Sequence, residues 1–329
     1  MPITPIEFLF VPVTSYCNLL CVHCHIWTLG IQELSLKKRC DFISYSGEVS
    51  PNTELYLTGG EPFSRPKDLL TLINAARNAD LTVATGTNGT LVTETLAKKL
   101  VCDGLLNIVI SLDSHKAEIH DSLRSVPGTF NRVIKAIQDF RNARKSLNPC
   151  FQIFISSILG SWNLPMIDKL VDYCQYELLV DGIMFQPLQP SFGARSDRKE
   201  LINNPLFPTP SQVEIGIEIL KSFKNRYSFI KETQEQLEAF KQYFYSSQFL
   251  ERSVCDSCEK NLMIDFEGNV TLCFNAWEAG FKPIGNIKKD SPEIIFEKRN
   301  DHELLDKMRK CRRSCGLMLC HRKNSFSEN

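Results

Sequence analysis

Apolar residues along the first two thirds of the chain follow two alternating rhythms. Short, almost unbroken apolar runs read as strands: EFLFVPV (7–13), ELYLT (54–58), LTVATG (81–86), LNIVISLD (106–113), FQIFISSIL (151–159) and GIMFQPL (182–188). Between them, apolar positions recur every three or four residues in KDLLTLINAARN (67–78), TETLAKKLV (93–101), TFNRVIKAIQDFRNARK (129–145) and LPMIDKLVDYCQYE (164–177), the spacing of amphipathic helices. Thr93 is an expected N-cap. Strands that are apolar on both faces are covered on both faces, as in parallel sheets joined by right-handed helical crossovers. Six such units predict an α/β fold, as an open sheet or a partial barrel.

The rhythm breaks at 188–210, LQPSFGARSDRKELINNPLFPTP, a polar, Pro-rich connection or substrate-facing loop. Helices are expected over 211–224 and 231–245. From 255 the pattern changes again. LMIDFEGNVTLCF (262–274) predicts a hairpin turning at Glu267-Gly268-Asn269, IGNI (284–287) a turn, and PEIIFEKRNDHELLDKMRKC a helical stretch. The expected organisation is therefore a barrel-like body over 1–190, a helical connection over 191–250 and a cysteine-rich unit over 251–329.

Composition adds little until the cysteines are placed. Hydrophobic residues make up 43% of 329, enough for a large core, and 38 basic residues balance 38 acidic ones. That balance gives no bulk attraction to nucleic acid or to an anionic membrane. No run approaches the ~20 apolar residues that span a bilayer, and MPITPIEFLFVPV lacks a basic leader and a cleavage site, so the expected location is cytoplasmic. The 13 cysteines, however, cluster. Cys17, Cys21 and Cys24 lie near the front; Cys255, Cys258, Cys273, Cys311, Cys315 and Cys320 lie near the back. A large chain in a reducing compartment uses clustered thiolates for metal rather than for disulfides.

The front triplet, C-x₃-C-x₂-C, follows the first strand, and ligands of parallel α/β folds sit beyond the carboxyl ends of strands. Zinc would need a fourth ligand, which His23 or His25 offers. Two other motifs point elsewhere: LTGGEPF (57–63) ends the second strand and SLDS (111–114) ends the fourth. With the triplet, they resemble the radical S-adenosylmethionine (radical SAM) superfamily over about residues 7–190. The resemblance implies a partial (β/α)6 barrel in which Cys17, Cys21 and Cys24 bind three irons of a [4Fe–4S] cluster, leaving the fourth iron to SAM. One electron then cleaves SAM to methionine and a 5′-deoxyadenosyl radical, which takes a hydrogen atom from substrate.

The same resemblance implies SAM-binding roles for Gly59, Gly60, Glu61 and Pro62, for Asn88, for Ser111 and Asp113, for Arg124 beside the SAM carboxylate and for Gln186 facing adenine. Gly59 and Gly60 are expected to let backbone approach the methionine amino group, and Glu61 to offer it negative charge. Read without the resemblance, these residues serve as a strand-to-helix turn, an Asn-Gly turn, caps and a surface charge.

The back cysteines resemble the auxiliary-cluster region of SPASM/twitch radical SAM enzymes. C255-x₂-C258…C273 and C311-x₃-C315-x₄-C320 give six ligands, so one auxiliary [4Fe–4S] cluster is favoured and a second remains open; a zinc ribbon is the alternative. The implied reaction is dehydrogenation or epimerisation of a sugar- or aminocyclitol-like molecule. The alternatives are ribosomal-peptide or protein side-chain modification, and a non-catalytic iron–sulfur or zinc protein. An electron donor such as flavodoxin or ferredoxin is expected. Cys102, Cys150 and Cys174 are candidate hydrogen donors, with Cys150 first because it opens the fifth strand, though free cysteines are commonly small buried hydrophobes.

Overall fold

A computed structural model describes residues 5–30, 33–189, 201–245, 257–277 and 279–311. The six expected strands form: β1 (Phe8–Thr14), β2 (Glu54–Gly59), β3 (Thr82–Thr87), β4 (Asn107–Ser111), β5 (Gln152–Leu159) and β6 (Gly182–Pro187). All pair in parallel, in the spatial order β6-β5-β4-β3-β2-β1. Each new strand joins the same edge, so there is no reversal of strand order and the sheet is a partial barrel.

The crossovers are α1 (Leu36–Val49), α2 (Pro66–Asn78), α3 (Glu94–Cys102), α4 (Ala117–Arg124) with α5 (Thr129–Leu147), and α6 (Ile167–Asp172), which continues through one wide turn at Tyr173–Glu177. Thr93 caps α3 by accepting from Leu96 N–H at 3.2 Å, as expected. Two helices escaped the periodic reading. The buried face of α1 carries Arg39 and Ser46, which blurs its apolar stripe; α4 is only 8 residues long and buries His120 and Arg124 beside Leu123, too short a run for apolar spacing to mark it.

Alternation along the strands sorts side chains into two layers. Leu9, Val11, Leu55, Leu57, Val83, Ile108, Ile110, Ile153, Ile155 and Ile183 face the helices in one continuous core. Phe10 with Met263, and Val109 with Phe154 and Met184, fill the barrel interior around Tyr56. This apolar plug closes the barrel below the strands' carboxyl ends.

Beyond β6 lie α7 (Pro210–Arg226) and α8 (Gln234–Tyr245). The chain between them lies along the free edge of β6. Ile183 N–H donates to Phe229 O and Lys231 N–H to Ile183 O, both at 3.0 Å, and Phe185 N–H donates to the Glu232 carboxylate at 3.0 Å.

The expected hairpin is present as β7 (Asn261–Ile264) and β8 (Asn269–Thr271), antiparallel, with Gly268 at φ 87° in the turn. A short helix, α9 (Ser257–Lys260), precedes it. IGNI, expected as a turn, instead contributes a two-residue strand, β9 (Gly285–Asn286), antiparallel to β8. The expected single helical stretch is two helices, α10 (Pro292–Arg299) and α11 (His302–Arg309). The hairpin joins the main sheet: β7 pairs in parallel with β1, placing Phe10 beside Met263. Phe296 of α10 packs on Phe42 and Tyr45 of α1 at ring separations of 5.8 and 5.5 Å.

Candidate functional site

β1 delivers the chain to a loop that lies across the carboxyl ends of β2, β3 and β4, and four sets of contacts hold it there. Gly60 N–H donates to Thr14 O and Glu61 N–H to Tyr16 O, each at 2.8 Å. Asn88 Nδ2 donates to Asn18 Oδ1 and Asn18 Nδ2 to Thr90 Oγ1, each at 2.9 Å. Val22 N–H donates to Leu123 O at 3.0 Å, tying the loop to the end of α4. Buried Arg39 donates to the carbonyls of Pro12, Val13 and Leu34, which fixes the strand end from which the loop departs.

The loop thereby brings Cys17, Cys21 and Cys24 to the wall of one cavity of about 290 Å³. The turn at Gly59, Gly60, Glu61 and Pro62 forms a second wall. Gly86, Thr87 and Asn88 come from β3, Ser111 from β4, Ser156 and Ile158 from β5, and Gln186 to Gln189 from β6. Eight of the nine expected SAM-site residues line this cavity. Asp113 does not; it is fully buried behind Arg124, whose Nε and Nη2 donate to Asp113 Oδ2 at 2.8 and 2.7 Å. Arg124 also lines the cavity and directs Nη1 at Cys21 Sγ, 3.8 Å away.

The glycines have a reason that sequence reasoning missed. A Cβ on Gly59 would lie 2.3 Å from Thr14 O, and one on Gly60 would lie 2.2 Å from Tyr16 O. Gly59 also sits at φ 134°, which side chains rarely adopt. What comes close to these glycines is the chain's own cysteine loop.

Glu61 likewise faces the protein. Its Oε1 accepts from Phe63 N–H at 3.0 Å and Thr87 Oγ1–H at 2.7 Å, and Oε2 accepts from Asn88 N–H at 2.7 Å, so it clasps the ends of β2 and β3 together. Burial pushes its carboxyl up to about 7, against these hydrogen bonds and the charge of Arg124, which favour the anion. In the unfolded chain the same carboxyl ionises near 4.5. Between those values the folded chain keeps a proton that the unfolded chain has lost, so stability falls as pH rises, and the loss is complete above about 7. Glu61→Gln is expected to remove this component. Denaturation midpoints at pH 5 and pH 8 should lie closer together in the variant than in the native chain.

Burial also pushes the Cys17 thiol up to about 11, with Glu61, Cys21 and Cys24 adding to the rise, and raises Cys24. Thiols so placed hold their protons at neutral pH until a cation replaces them. His23 is pushed down to about 4 by burial and by Arg124, and stacks on Trp162 at 6.4 Å. Among the described residues, no three His, Cys, Asp or Glu side chains converge closely enough to grip one metal ion.

Cys150 is not at the site. It is exposed and precedes β5, whereas Ser156 and Ile158 of β5 line the cavity. Six residues of strand separate Cys150 from Ser156, about 20 Å at 3.3 Å per residue. Cys150→Ser is expected to leave product formation unchanged. Cys174 is buried, its thiol pushed far up by burial, and Cys102 is exposed at the end of α3.

At the other end of the chain, Cys258 is buried, and Cys273 and Cys311 are half-buried. Ser257 Oγ donates to Leu272 O at 2.9 Å, bringing the stretches that carry Cys258 and Cys273 together. Cys255, Cys315 and Cys320 lie outside the described residues.

Several cavity residues were not anticipated: Tyr56, Thr58, Ser156, Trp27 and Gln189. A signal existed for three of them. Tyr56, Thr58 and Ser156 occupy the strand face opposite the helix-facing Leu55, Leu57 and Ile155, on strands whose ends already carried motif residues. Tyr56 in turn requires Gly86, where a Cβ would lie 2.8 Å from the phenol oxygen. Among the described residues, no helix is long and apolar enough to cross a membrane.

Comparison with known proteins agrees with this layout. The radical SAM superfamily profile matches residues 11–154. The AdoMet-dependent heme synthase of Methanosarcina barkeri is 33% identical over 160 residues, covering 48% of this chain and 44% of the relative. The mycofactocin maturase MftC of Mycobacterium tuberculosis is 33% identical over 136 residues, covering 40% and 33%. The chain thus spans less than half the length of these curated relatives. In three dimensions, anSMEcpe with bound AdoMet and the Cp18Cys peptide superposes with a TM-score of 0.69 at 19% identity, over 93% of this chain and 86% of that one. Members of the superfamily use SAM and a [4Fe–4S] cluster. The profile match, the partial barrel and the cysteine loop across its strand ends agree in giving residues 11–154 the character of a radical SAM domain.

Proposed function

We propose that the chain cleaves SAM in the cavity above the barrel plug and abstracts a hydrogen atom from a peptide substrate. The observation that carries the reading is that one cavity is walled by Cys17, Cys21 and Cys24, by the Gly59–Pro62 turn, and by Arg124. The three thiols fit a cluster better than zinc. A single zinc ion with bonds of about 2.3 Å needs its sulfurs drawn to a point. Here Cys17, Cys21 and Cys24 line one cavity of about 290 Å³ that also takes in the Gly59–Pro62 turn and Arg124, a buried cation suited to offset thiolate charge. When bound, the cluster supplies the electron that splits SAM into methionine and the 5′-deoxyadenosyl radical.

The chain's own residues bind and shield. Arg124, anchored by Asp113, presents a guanidinium suited to the SAM carboxylate. Asn88 and the Gly59–Gly60–Glu61–Pro62 turn hold the loop on which the cysteines ride. Ser111 and Gln186 offer polar contacts at the ends of β4 and β6, and the Phe10, Met263, Phe154 and Met184 plug keeps water from entering below. Cys255, Cys258, Cys273, Cys311, Cys315 and Cys320 would serve an auxiliary [4Fe–4S] cluster, in a reducing compartment with a flavodoxin- or ferredoxin-like donor.

A peptide replaces the sugar or aminocyclitol expected from sequence, for two reasons. The wall's polarity is the first. Among the described lining residues, the charged groups are Arg124, paired with Asp113, and Glu61, committed to three donors. An aminocyclitol ammonium would find no uncommitted carboxylate among these described residues, whereas a peptide backbone, being neutral, needs none. The second is that anSMEcpe, which carries a peptide, superposes over most of the chain. Relatives named for heme and for mycofactocin match at equal identity, so the shared stretch carries SAM chemistry rather than substrate choice. The test is an anaerobic assay of the reconstituted full chain with deuterated peptides, an aminocyclitol and a coproporphyrin in parallel. Deuterium is expected in 5′-deoxyadenosine from a peptide; transfer only from one of the other two overturns the peptide reading.

A further inference from the structure

Arg124 is held more rigidly than binding a SAM carboxylate requires. It is 7% exposed, and two of its nitrogens, Nε and Nη2, are spent on the single oxygen Oδ2 of Asp113. Asp113 is in turn fixed from β5: Oδ1 accepts from Ile158 N–H at 3.2 Å, and its carbonyl accepts from Asn163 Nδ2 at 3.1 Å. With two nitrogens pinned, the planar guanidinium can point its third in only one direction, and Nη1 faces Cys21 Sγ at 3.8 Å. The Val22 N–H to Leu123 O bond makes the cysteine loop and the arginine's helix one unit. Cys17 has a weaker, neutral counterpart in Asn88 Nδ2 at 4.0 Å.

We propose that Arg124, aimed by Asp113, sets the reduction potential of the cluster bound through Cys21 by donating a charged N–H···S hydrogen bond to that sulfur. The inference rests on the cluster assignment above. Reduction adds one electron from an external low-potential donor and no proton, so the site becomes more negative by one charge. A fixed cation in a poorly solvated wall stabilises the more negative state, and hydrogen bonds to ligand sulfurs, net charge and exposure are the protein's means of tuning such potentials. Asp113 acts in the opposite sense, cancelling part of that cation while aiming it.

The test uses the reconstituted full chain, titrated with dithionite without SAM and followed by low-temperature electron paramagnetic resonance. The relevant cluster is the one whose signal changes when SAM is added afterwards. Arg124→Gln at unchanged iron content is expected to make reduction about tenfold harder, a midpoint lower by about 59 mV for a one-electron couple. Asp113→Asn, which keeps an oxygen to aim the arginine but removes the negative charge, is expected to shift the midpoint upward. A midpoint unchanged in Arg124→Gln overturns the proposal. If Arg124→Gln does not load its cluster, Asp113→Asn decides: an upward shift supports the proposal and no shift or a downward one overturns it. Absence of any SAM-sensitive cluster in the native chain would instead overturn the cluster assignment itself.

Discussion

Replacing Cys17, Cys21 and Cys24 together with alanine is expected to abolish 5′-deoxyadenosine formation under reductant. Iron content should fall by about four atoms per chain, the complement of one cube. The fold should survive, because the barrel plug and the helix-facing core contain none of these three residues and the loop keeps its ties to Gly60, Glu61 and Leu123. Far-ultraviolet circular dichroism would confirm that. Undiminished 5′-deoxyadenosine would sink the assignment. Iron lost in step with product marks the triplet as the catalytic centre, and iron that remains in the triple variant belongs to the back cysteines. His23→Ala and His25→Ala complete the test: loss of bound metal in either would return the site to the zinc alternative with a histidine as fourth ligand.

Gly60→Ala is expected to have the next largest effect, and it separates two accounts of the glycine pair. If Gly60 is needed only so that SAM can approach, the SAM-free variant should melt like the native chain and fail only when SAM is added. The contacts predict otherwise. The new methyl would stand 2.2 Å from Tyr16 O, 2.5 Å from Tyr16 C and 2.7 Å from Ser15 O, all backbone atoms. The loop must move, and with it the hydrogen bonds from Gly60 to Thr14 and from Glu61 to Tyr16. Overpacking of this kind costs about 1–3 kcal/mol, before the two bonds are counted at about 1 kcal/mol each. Thermal melting of the SAM-free, metal-free variant should therefore drop by several degrees, with cluster loading impaired because Cys17 rides on the displaced segment. An unshifted melting curve would restore the ligand-approach account.

The fold was legible where apolar burial dominates. The strands of the parallel body and the helices α2, α3 and α5 follow from apolar spacing alone. What spacing hides is polar burial. α1 carries Arg39 on its inner face because three carbonyls at the β1 end and the 34–35 turn need a donor, and α4 carries Arg124 because Asp113 needs a counter-ion. On both helices the buried polar groups that hide the inner face are the ones that position the site. The union of β7 with β1 was hidden as well, since it joins residues about 250 positions apart and no local pattern records it. In the site, motif residues could be named from sequence, but not their partners. Glu61 reads as a ligand to SAM until its three donors from the chain itself are seen, and Asp113 reads as a wall residue until Arg124 is found in front of it.

The free edge of β6 bears on how a substrate can arrive. Ile183 and Phe185 have spent their outward N–H groups on Phe229 O and Glu232, and the next outward residue, Pro187, has none to give. A peptide therefore cannot attach there by extending the sheet, which is how an exposed strand edge would read a backbone regardless of its side chains. On the function proposed above, a peptide would instead have to reach the cavity whose wall includes Trp27 and Gln186 to Gln189. On that reading, a peptide not held along this edge would be selected by the side chain presented in the cavity and its immediate neighbours, and short peptides should serve almost as well as long ones.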